Sequence, residues 1–371
     1  MLTYIGNKRA LVPFIQTGIS YAKETLGVAP DAKLRCMDLF SGSAVVARLL
    51  ATHASELRCN DFELYAATVA RACLNKVDEE QAARVRAHID AANALADSGP
   101  HVEGILTREY APKDTENIKQ GERCFYTHEN ALRFDTMRDY IERSVSAEDK
   151  DFVLGALIVR ASICANTSGL FYAFHKKDGV GAWNGRVANE SNIKRIKELQ
   201  KITCPVFNPY DHCTHVTVTQ LEALACVTAL PDDSLDIVYA DPPYNEASYG
   251  GNYGLLNIIA KNVLPEKISA NSGVPADWQR SEFYRKNKAK TAFANLFEVL
   301  MTKTRCCIMS YSDEGHVSYD EIKELLSKYN VHTIENTHAR FSNTHDSKKR
   351  TAEGTKKKTV TEYLFVIFRK V

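Results

Sequence analysis

The fold of this chain is decided by Leu235-Asp236-Ile237-Val238-Tyr239-Ala240 and by the four residues that follow, Asp241-Pro242-Pro243-Tyr244. The first stretch is a short apolar run bounded by turn residues, which predicts a buried strand. The four residues after it then lie at the carboxyl end of that strand, the edge at which open α/β sheets bind ligands. The stretch therefore predicts an α/β protein with a binding site at Asp241.

Residues 241–244 offer hydrogen-bond acceptors beside an aromatic ring. The two prolines fix φ and remove two backbone donors, so the main chain here presents carbonyl oxygens. Asp241 adds a carboxylate, and Tyr244 supplies a ring on which a planar group can stack. Two acceptors next to a stacking surface suit the exocyclic amino group of a nucleobase. The alternative interpretation is a proline-containing turn with a surface tyrosine.

A second strand, Leu34-Arg35-Cys36-Met37-Asp38-Leu39-Phe40, leads through Ser41-Gly42-Ser43-Ala44 into an apolar helix at residues 45–50. Strand, small-residue turn and helix form the first unit of a Rossmann-like nucleotide site. Asp61 follows Asp38 by 23 residues, close to the spacing of about 20 at which a carboxylate meets ribose hydroxyls. The turn has one glycine rather than three, which favours a cofactor without phosphates.

The N-terminal segment Tyr4-Ile5-Gly6-Asn7-Lys8 precedes any predicted strand. An aromatic residue, a glycine and a lysine in this position indicate a loop that folds back over a ligand. The alternative is the N-terminus of a helix with a solvated lysine.

Taken in this order, the three segments resemble the S-adenosylmethionine-dependent DNA adenine methyltransferases of the alpha group, the Dam-like enzymes of type II restriction-modification. Residues 309–313 and the closing strand at 362–368 extend the resemblance. It implies a Rossmann-like α/β sheet, S-adenosylmethionine as cofactor and double-stranded DNA as partner. By position, it assigns catalysis to Asp241, Pro242, Pro243 and Tyr244. It assigns cofactor binding to Tyr4, Lys8, Asp38, Phe40, Ser41, Gly42, Asp61 and Asp241.

One position departs from the family pattern. The family usually has an Asp-Phe pair after its third strand, near the adenine of the cofactor, whereas here Gln220 follows Val216-Thr217-Val218-Thr219. The residue that contacts the cofactor adenine is therefore left open.

Between these motifs lies an insertion, residues 76–214, which is far longer than an ordinary connection. We expect a catalytic domain from residues 1–75 and 215–371 and a mostly helical target-recognition insertion between them. The polar segment 166–190 supplies candidate base readers, Lys177, Asn184 and Arg186. An exposed structural hairpin is the alternative.

Two basic stretches are candidate phosphate contacts, although such runs are commonly only solvated surface. Residues 280–290 interleave Arg and Lys with Phe283 and Tyr284. The second stretch, residues 340–359, includes Lys348, Lys349, Arg350, Lys356 and Lys357.

Composition limits the class of protein. The 371 residues are 44% hydrophobic and 25% charged, with a net charge of +1, which is ordinary for a globular protein. No apolar run is long enough to span a bilayer, and we expect a cytoplasmic protein that meets the bacterial nucleoid through its substrate. The ten cysteines have no metal-binding spacing and read as buried thiols, and the cluster at residues 212–215 lacks the second half of a metal site.

The sequence thus predicts a site-specific enzyme that transfers a methyl group to the 6-amino group of adenine after flipping the base out of the duplex. Three other readings remain. Methylation of the cytosine 4-amino group needs the same acceptors, although those enzymes more often have Ser where Asp241 stands. RNA adenine methylation is disfavoured because the large insertion precedes the catalytic motif. A non-catalytic DNA-binding subunit is disfavoured because Gly42 and residues 241–244 are intact. A separate cognate restriction endonuclease is a candidate partner, and the oligomeric state is left open.

Overall fold

The computed structural model describes residues 2, 7–184, 190–244, 248–339 and 359–370. Its strands are β1 (Leu34–Asp38), β2 (Ala54–Asn60), β3 (Lys176–Lys177), β4 (Val180–Gly181), β5 (His215–Thr219), β6 (Leu235–Ala240), β7 (Thr304–Ser312), β8 (Asn330–Ala339) and β9 (Thr359–Phe368). A short 3₁₀ helix (Lys8–Leu11) precedes the first α-helix. The α-helices are α1 (Val12–Thr25), α2 (Val45–Ala51), α3 (Leu64–Leu74), α4 (Glu79–Ser98), α5 (Ile105–Glu109), α6 (His128–Ser144), α7 (Ala147–Cys164), α8 (Glu190–Lys197), α9 (Ala223–Thr228), α10 (Tyr249–Asn252), α11 (Gly254–Lys261), α12 (Ala289–Lys303) and α13 (Tyr319–Leu326).

The centre of the molecule is a seven-stranded sheet in the order β5-β2-β1-β6-β7-β9-β8. The first five strands in this order, β5, β2, β1, β6 and β7, are parallel to one another, whereas β9 runs antiparallel to both β7 and β8. After β1, the chain adds β2 and β5 on one side of that strand. It then returns to the other side of β1, where it forms β6 and β7. The boundary between β1 and β6 is therefore the topological switch point, where such sheets bind ligands. This architecture confirms the predicted Rossmann-like α/β fold.

Helices cover both faces of the sheet because the strands bury side chains on both sides. In β9, Leu364 and Val366 belong to the hydrophobic cluster that contains α1 and α2. Phe365 and Ile367 point the other way, into the cluster that contains α9, α12 and α13. Burial on both faces explains why β6 and β9 read as nearly continuous apolar runs rather than as alternating ones.

The inserted residues form helices α4 to α8 and the small β3–β4 hairpin. Many of their apolar side chains share one hydrophobic cluster with α3 and α11. Gly155 of α7 permits close packing on α3, since a Cβ atom there would approach the Cβ of Ala72 to 2.6 Å. The insertion thus packs directly on the catalytic half of the chain, and its extent as a target-recognition domain stays a prediction.

Several thiols are buried in the core of the fold, and Cys213 is the one buried residue of the segment 212–215. Burial raises the pKa of Cys36 to about 12 and that of Cys164 to about 12, so these thiols stay protonated at neutral pH. Cys213 is buried, and His212 forms a hydrogen bond to the carbonyl of Ala51. In the described part of the chain, every helix is too short or too polar to cross a membrane.

Candidate active site

The carboxyl ends of β1 and β6 open into a cleft, at the edge where open α/β sheets bind ligands. The strand ends supply one side of the cleft, and α10 together with the segment before α12 supplies the other. Its lining residues are Phe40, Asn60, Asp61, Phe62, Glu63, Leu221, Glu222, Ala223, Asp241, Pro243, Tyr249, Gln279, Ser281 and Tyr284. Phe40, Asp61 and Asp241, predicted from separate motifs, are therefore brought together.

The turn after β1 is held in place by Asp61. Gly42 has φ +47°, in the left-handed region that favours glycine. Its amide donates to Asp61 Oδ2 at 2.7 Å, and the Glu63 amide donates to Oδ1 at 2.9 Å. The Ser41 amide donates to the Asn60 carbonyl at 2.9 Å. Burial raises the pKa of Asp61 to about 6, and the amide donors oppose that rise. Asp61 thus supports the turn as well as lining the cleft.

Asp38 lies at the end of β1 and is buried. Burial raises its pKa well above the ordinary value, and the neighbouring carboxylates of Asp241 and Asp61 raise it further. The backbone amides of Phe40 and Ala47 are close enough to lower this pKa, but neither Asp38 oxygen forms a hydrogen bond of good geometry among the described residues. A buried carboxyl without such a bond is costly.

Asp241 forms an ion pair with Lys8, which comes from the opposite end of the sequence. Lys8 Nζ lies 3.1 Å from Asp241 Oδ1 and 3.7 Å from Glu362 Oε2. Burial raises the pKa of Asp241 to about 6, Lys8 lowers it, and the negative charge of Glu362 raises it. Burial alone would lower the pKa of Lys8, but the surrounding acidic groups raise it well above the ordinary value, so Lys8 stays charged.

The ring of Tyr244 lies next to this ion pair. It packs edge-on against Tyr311 with 5.7 Å between ring centroids. Lys8 Nζ lies 5.6 Å from the centroid of the Tyr244 ring. The Tyr244 carbonyl accepts a hydrogen bond from the His316 amide at 2.7 Å. Tyr249 adds a second aromatic ring to the lining of the cleft and stacks on Tyr253 with 6.1 Å between centroids. The acceptors of Asp241 are thus flanked by aromatic side chains.

Several lining residues were not anticipated from the sequence. Glu63 is buried, accepts a hydrogen bond from Asn257 at 2.5 Å, and has a pKa raised by burial to about 7. Its place two residues after Asp61 is the sequence signal for this position.

The segment before α12 was read as a basic surface, but part of it is structural. Phe283 is buried and packs edge-on against Phe40 with 5.6 Å between centroids. This contact brings Gln279, Ser281 and Tyr284 to the cleft. Lys288 is paired with Glu282, whereas Arg280 remains exposed.

Gln220, the position that departs from the family pattern, does not line this cleft. Its side chain donates to the Phe62 carbonyl at 3.3 Å and lines a neighbouring cleft that also includes Asn257. Leu221, Glu222 and Ala223 line the main cleft in its place.

The predicted DNA-contacting residues differ in their settings. Lys177 is exposed on the β3–β4 hairpin, whose turn residues Asp178 and Gly179 both have positive φ. Asn184 is buried, and its backbone N–H donates a hydrogen bond to Asn166 Oδ1 at 3.0 Å. In this conformation Asn184 supports the loop rather than facing solvent. Seven predicted site residues lie outside the described residues: Tyr4, Arg186, Lys348, Lys349, Arg350, Lys356 and Lys357.

With this geometry established, comparison with known proteins identifies the family. The sequence model of the D12 class N6 adenine-specific DNA methyltransferases matches residues 4–340. The chain belongs to that family. It is therefore an enzyme that methylates the N6 position of adenine in DNA. This family favours adenine over cytosine as the target base, and an enzyme over a non-catalytic DNA-binding subunit.

Relatives of this D12 class methyltransferase resemble it along most of its length. Type II methyltransferase M.CviAII of Paramecium bursaria Chlorella virus 1 is 28% identical over 370 residues, which cover 98% of each chain. Type II methyltransferase M.NlaIII of Neisseria lactamica is 26% identical over 351 residues, 91% of this chain and 92% of that one. Modification methylase LlaI of Lactococcus lactis subsp. lactis is 26% identical over 377 residues, 98% of this chain and 54% of that one.

Proposed function

We propose that this enzyme methylates adenine at a specific duplex DNA sequence, with S-adenosylmethionine as methyl donor and with the target base flipped into the cleft. One observation supports this most directly. The turn after β1 and the acceptor group of Asp241 open into the same cleft at the switch point. A donor on the turn and an amine at Asp241 would then be neighbours.

The residues around the turn fit the donor. The two Asp38 oxygens, neither of which forms a hydrogen bond of good geometry among the described residues, suit a cationic ammonium group, such as that of the methionine part. Phe40 and Phe62 offer apolar contacts, and Asp61 keeps lone pairs for ribose hydroxyls beyond those used by its two amide donors. When bound, S-adenosylmethionine supplies a methyl group on a positively charged sulfur, which keeps the bonding electron pair when the methyl leaves. Leu221 to Ala223 are the residues that we propose contact its adenine.

The acceptor group at the end of β6 fits the amine. The lone pair of an adenine amino group is delocalised into the ring, so the free amine is a poor nucleophile. Hydrogen bonds to the Asp241 carboxylate and the Pro242 carbonyl would draw the nitrogen towards tetrahedral geometry and fix it in line with the methyl group. The nitrogen forms its bond to the methyl carbon and then releases one proton.

A paired adenine cannot reach this cleft. The nucleotide must leave the duplex at a cost of a few kcal/mol. Stacking on Tyr244, with Tyr249 close by, would offset this by about 1–3 kcal/mol. The cost is lower for a mismatched base, which gives base flipping a measurable signature.

The inserted residues are the proposed target-recognition region, and the exposed hairpin with Lys177 is one of its candidate DNA contacts. Two of the similar proteins are named type II methyltransferases and one a modification methylase. We therefore propose a role in restriction-modification with a separate endonuclease of the same specificity. Such an enzyme would act in the cytoplasm, at the nucleoid in a bacterial cell.

The test uses the purified full chain, tritiated S-adenosylmethionine and duplex DNA of random sequence. We expect label in N6-methyladenine after digestion to nucleosides, and saturable binding of the donor in calorimetry. Asp241→Ala should abolish transfer while gel shifts show that DNA is still bound. Label in 4-methylcytosine, or full turnover by Asp241→Ala, would contradict the proposal.

A further inference from the structure

Glu362 reaches the active site from the last strand of the sheet. Because β9 runs antiparallel to β7, the first residues of β9 lie at the same edge as the last residues of β7, and Glu362 pairs with Ser312 there. Side chains alternate along a strand, so Glu362 shares a face with Leu364 and Val366. That face packs towards α1, at the end of the sheet from which Lys8 also approaches.

The Glu362 carboxylate is buried with little to compensate its charge. Its side chain is 8% exposed, and Oε2 has no hydrogen-bond partner in the part of the chain that the structure describes. The nearest cation is Lys8, whose Nζ lies 3.7 Å away and is closer, at 3.1 Å, to Asp241 Oδ1. One buried ammonium is thus shared unequally by the buried carboxylate of Glu362 and the partly exposed carboxylate of Asp241.

This arrangement presents a difficulty for the proposed reaction. Asp241 has to accept a hydrogen bond from the adenine amine, yet its Oδ1 faces the ammonium of Lys8. A charged hydrogen bond between nitrogen and oxygen is about 2.7–2.9 Å long. Lys8 Nζ would therefore need to move by roughly 1 Å or less to form such a bond with Glu362 and release Asp241.

We propose that Glu362 is a positioning residue that accepts Lys8 from Asp241 when the target adenine enters the cleft. The inference rests on the proposed adenine site and adds an alternative partner for its lysine. Without the Glu362 carboxylate, Lys8 has no second carboxylate partner among the described residues and stays on Asp241. The incoming amine then meets a carboxylate whose negative charge an ammonium already partly neutralises, which weakens it as an acceptor.

The same carboxylate also affects the charge of the site. The other titratable groups that interact with Lys8 or Asp241 are Asp38 at the end of β1, Tyr239 and Tyr244 from β6 and its end, and Tyr249 from α10, and Glu314 after β7 acts on Tyr244. Lys8 is the one cation among the described groups that act on Asp241, and it faces the negative charges of Asp241 itself and of Glu362. A net negative site favours the positive charge that the amine nitrogen gains as the methyl group arrives.

The test compares Glu362→Gln, which keeps the shape and removes the charge, with Glu362→Asp, which keeps the charge on a shorter side chain. Glu335→Gln is the matched control, because Glu335 is exposed on β8, the neighbouring strand. For each, calorimetry measures donor affinity, and a single-turnover assay measures methyl transfer to duplex DNA across pH. Thermal melts report folding.

We expect Glu362→Gln to bind S-adenosylmethionine normally and to transfer methyl at least about tenfold more slowly, the effect of one compromised charged hydrogen bond. Glu362→Asp should lie between it and wild type, and Glu335→Gln should match wild type. Removing the Glu362 charge should also move the acid limb of the rate profile to lower pH, because that charge raises the pKa of Asp241. A merely structural role would not move the limb.

A double mutant gives an independent result. In a Lys8→Met background, Glu362→Gln should slow transfer much less than it does in the wild type, since there is no ammonium to reposition and only the charge of the site changes. A wild-type rate for Glu362→Gln, an unmoved acid limb or additive effects in the double mutant would overturn the inference. If Glu362→Gln does not fold, a wild-type rate of methyl transfer by Glu362→Asp would overturn the inference instead. An inactive wild type would instead refute the proposed function itself.

Discussion

The pH dependence of methyl transfer should report the ionisation of Asp241. Burial raises the pKa of this carboxyl to about 6, and only the ionised form accepts hydrogen bonds through both oxygens. We therefore expect kcat/KM for DNA to fall on the acid side with a midpoint near this value. One pH unit below a pKa, about one tenth of a carboxyl is ionised, so the loss approaches tenfold for each further unit.

Two variants test whether the acid limb reports Asp241: one should shift the limb, and the other should remove it. Lys8 lowers the pKa of Asp241, so Lys8→Met should move the acid limb to higher pH. Asp241→Asn keeps a neutral acceptor but loses the charged one, a difference of about 1.5–3 kcal/mol that corresponds to a rate loss of about 10- to 150-fold. In this variant the Asp241 limb should vanish.

The assay is initial-rate transfer of tritiated methyl to a duplex at subsaturating concentration, because kcat/KM reports the groups of the free enzyme. The donor must be saturating at every pH, since Asp61 and Glu63 also have raised pKa values, about 6 and about 7. Calorimetry at each pH verifies this. An acid limb in Asp241→Asn with the wild-type midpoint would refute the assignment, as would a Lys8→Met limb that stays or moves to lower pH.

Three further predictions concern the cofactor, the base and the DNA. Asp61→Asn should weaken donor binding by about 1.5–3 kcal/mol, because its amide cannot accept from both backbone donors; an unchanged dissociation constant in calorimetry would contradict this. Tyr244→Ala should lose more activity on paired adenine than on mismatched adenine, which is cheaper to extrude; equal losses in parallel transfer assays would argue against stacking on this ring. Arg186→Ala should relax discrimination at one base pair by roughly 1–3 kcal/mol, whereas Lys356→Ala should weaken binding to all sequences and flatten its salt dependence. Sequencing of a methylated random duplex pool at two salt concentrations would separate these effects, and a changed sequence preference in Lys356→Ala would show that the recognition residues were misplaced.

Much of the catalytic half of the fold was predictable because its signals are local. An apolar run followed by Asp241-Pro242-Pro243-Tyr244 specifies a buried strand and what stands at its end, whatever the rest of the chain does. The same holds for β1 and its small-residue turn, where Gly42 supplies the positive φ that the backbone requires. The sheet edge at which these motifs meet follows from general rules of parallel topology.

The partners of those motifs could not be predicted in the same way. Asp61 was expected to meet a ribose, and the structure shows in addition that it holds the Gly42 and Glu63 amides. Phe283 was read as part of a basic surface, yet it is buried against Phe40. Such contacts depend on how a segment without periodicity returns to the sheet, which its own residues do not specify.

By itself, the sequence determined the α/β class, the two strand ends that carry the site and the chemistry of their side chains, because strand periodicity and turn residues act over a few positions. Only the tertiary structure decided which charges share the site. Lys8, Asp241 and Glu362 come from the start, the middle and the end of the chain, and they meet because β9 returns antiparallel beside β7. Burial then raises the pKa of Asp241, and burial is a property of the packed sheet rather than of the residues around Asp241 in the sequence.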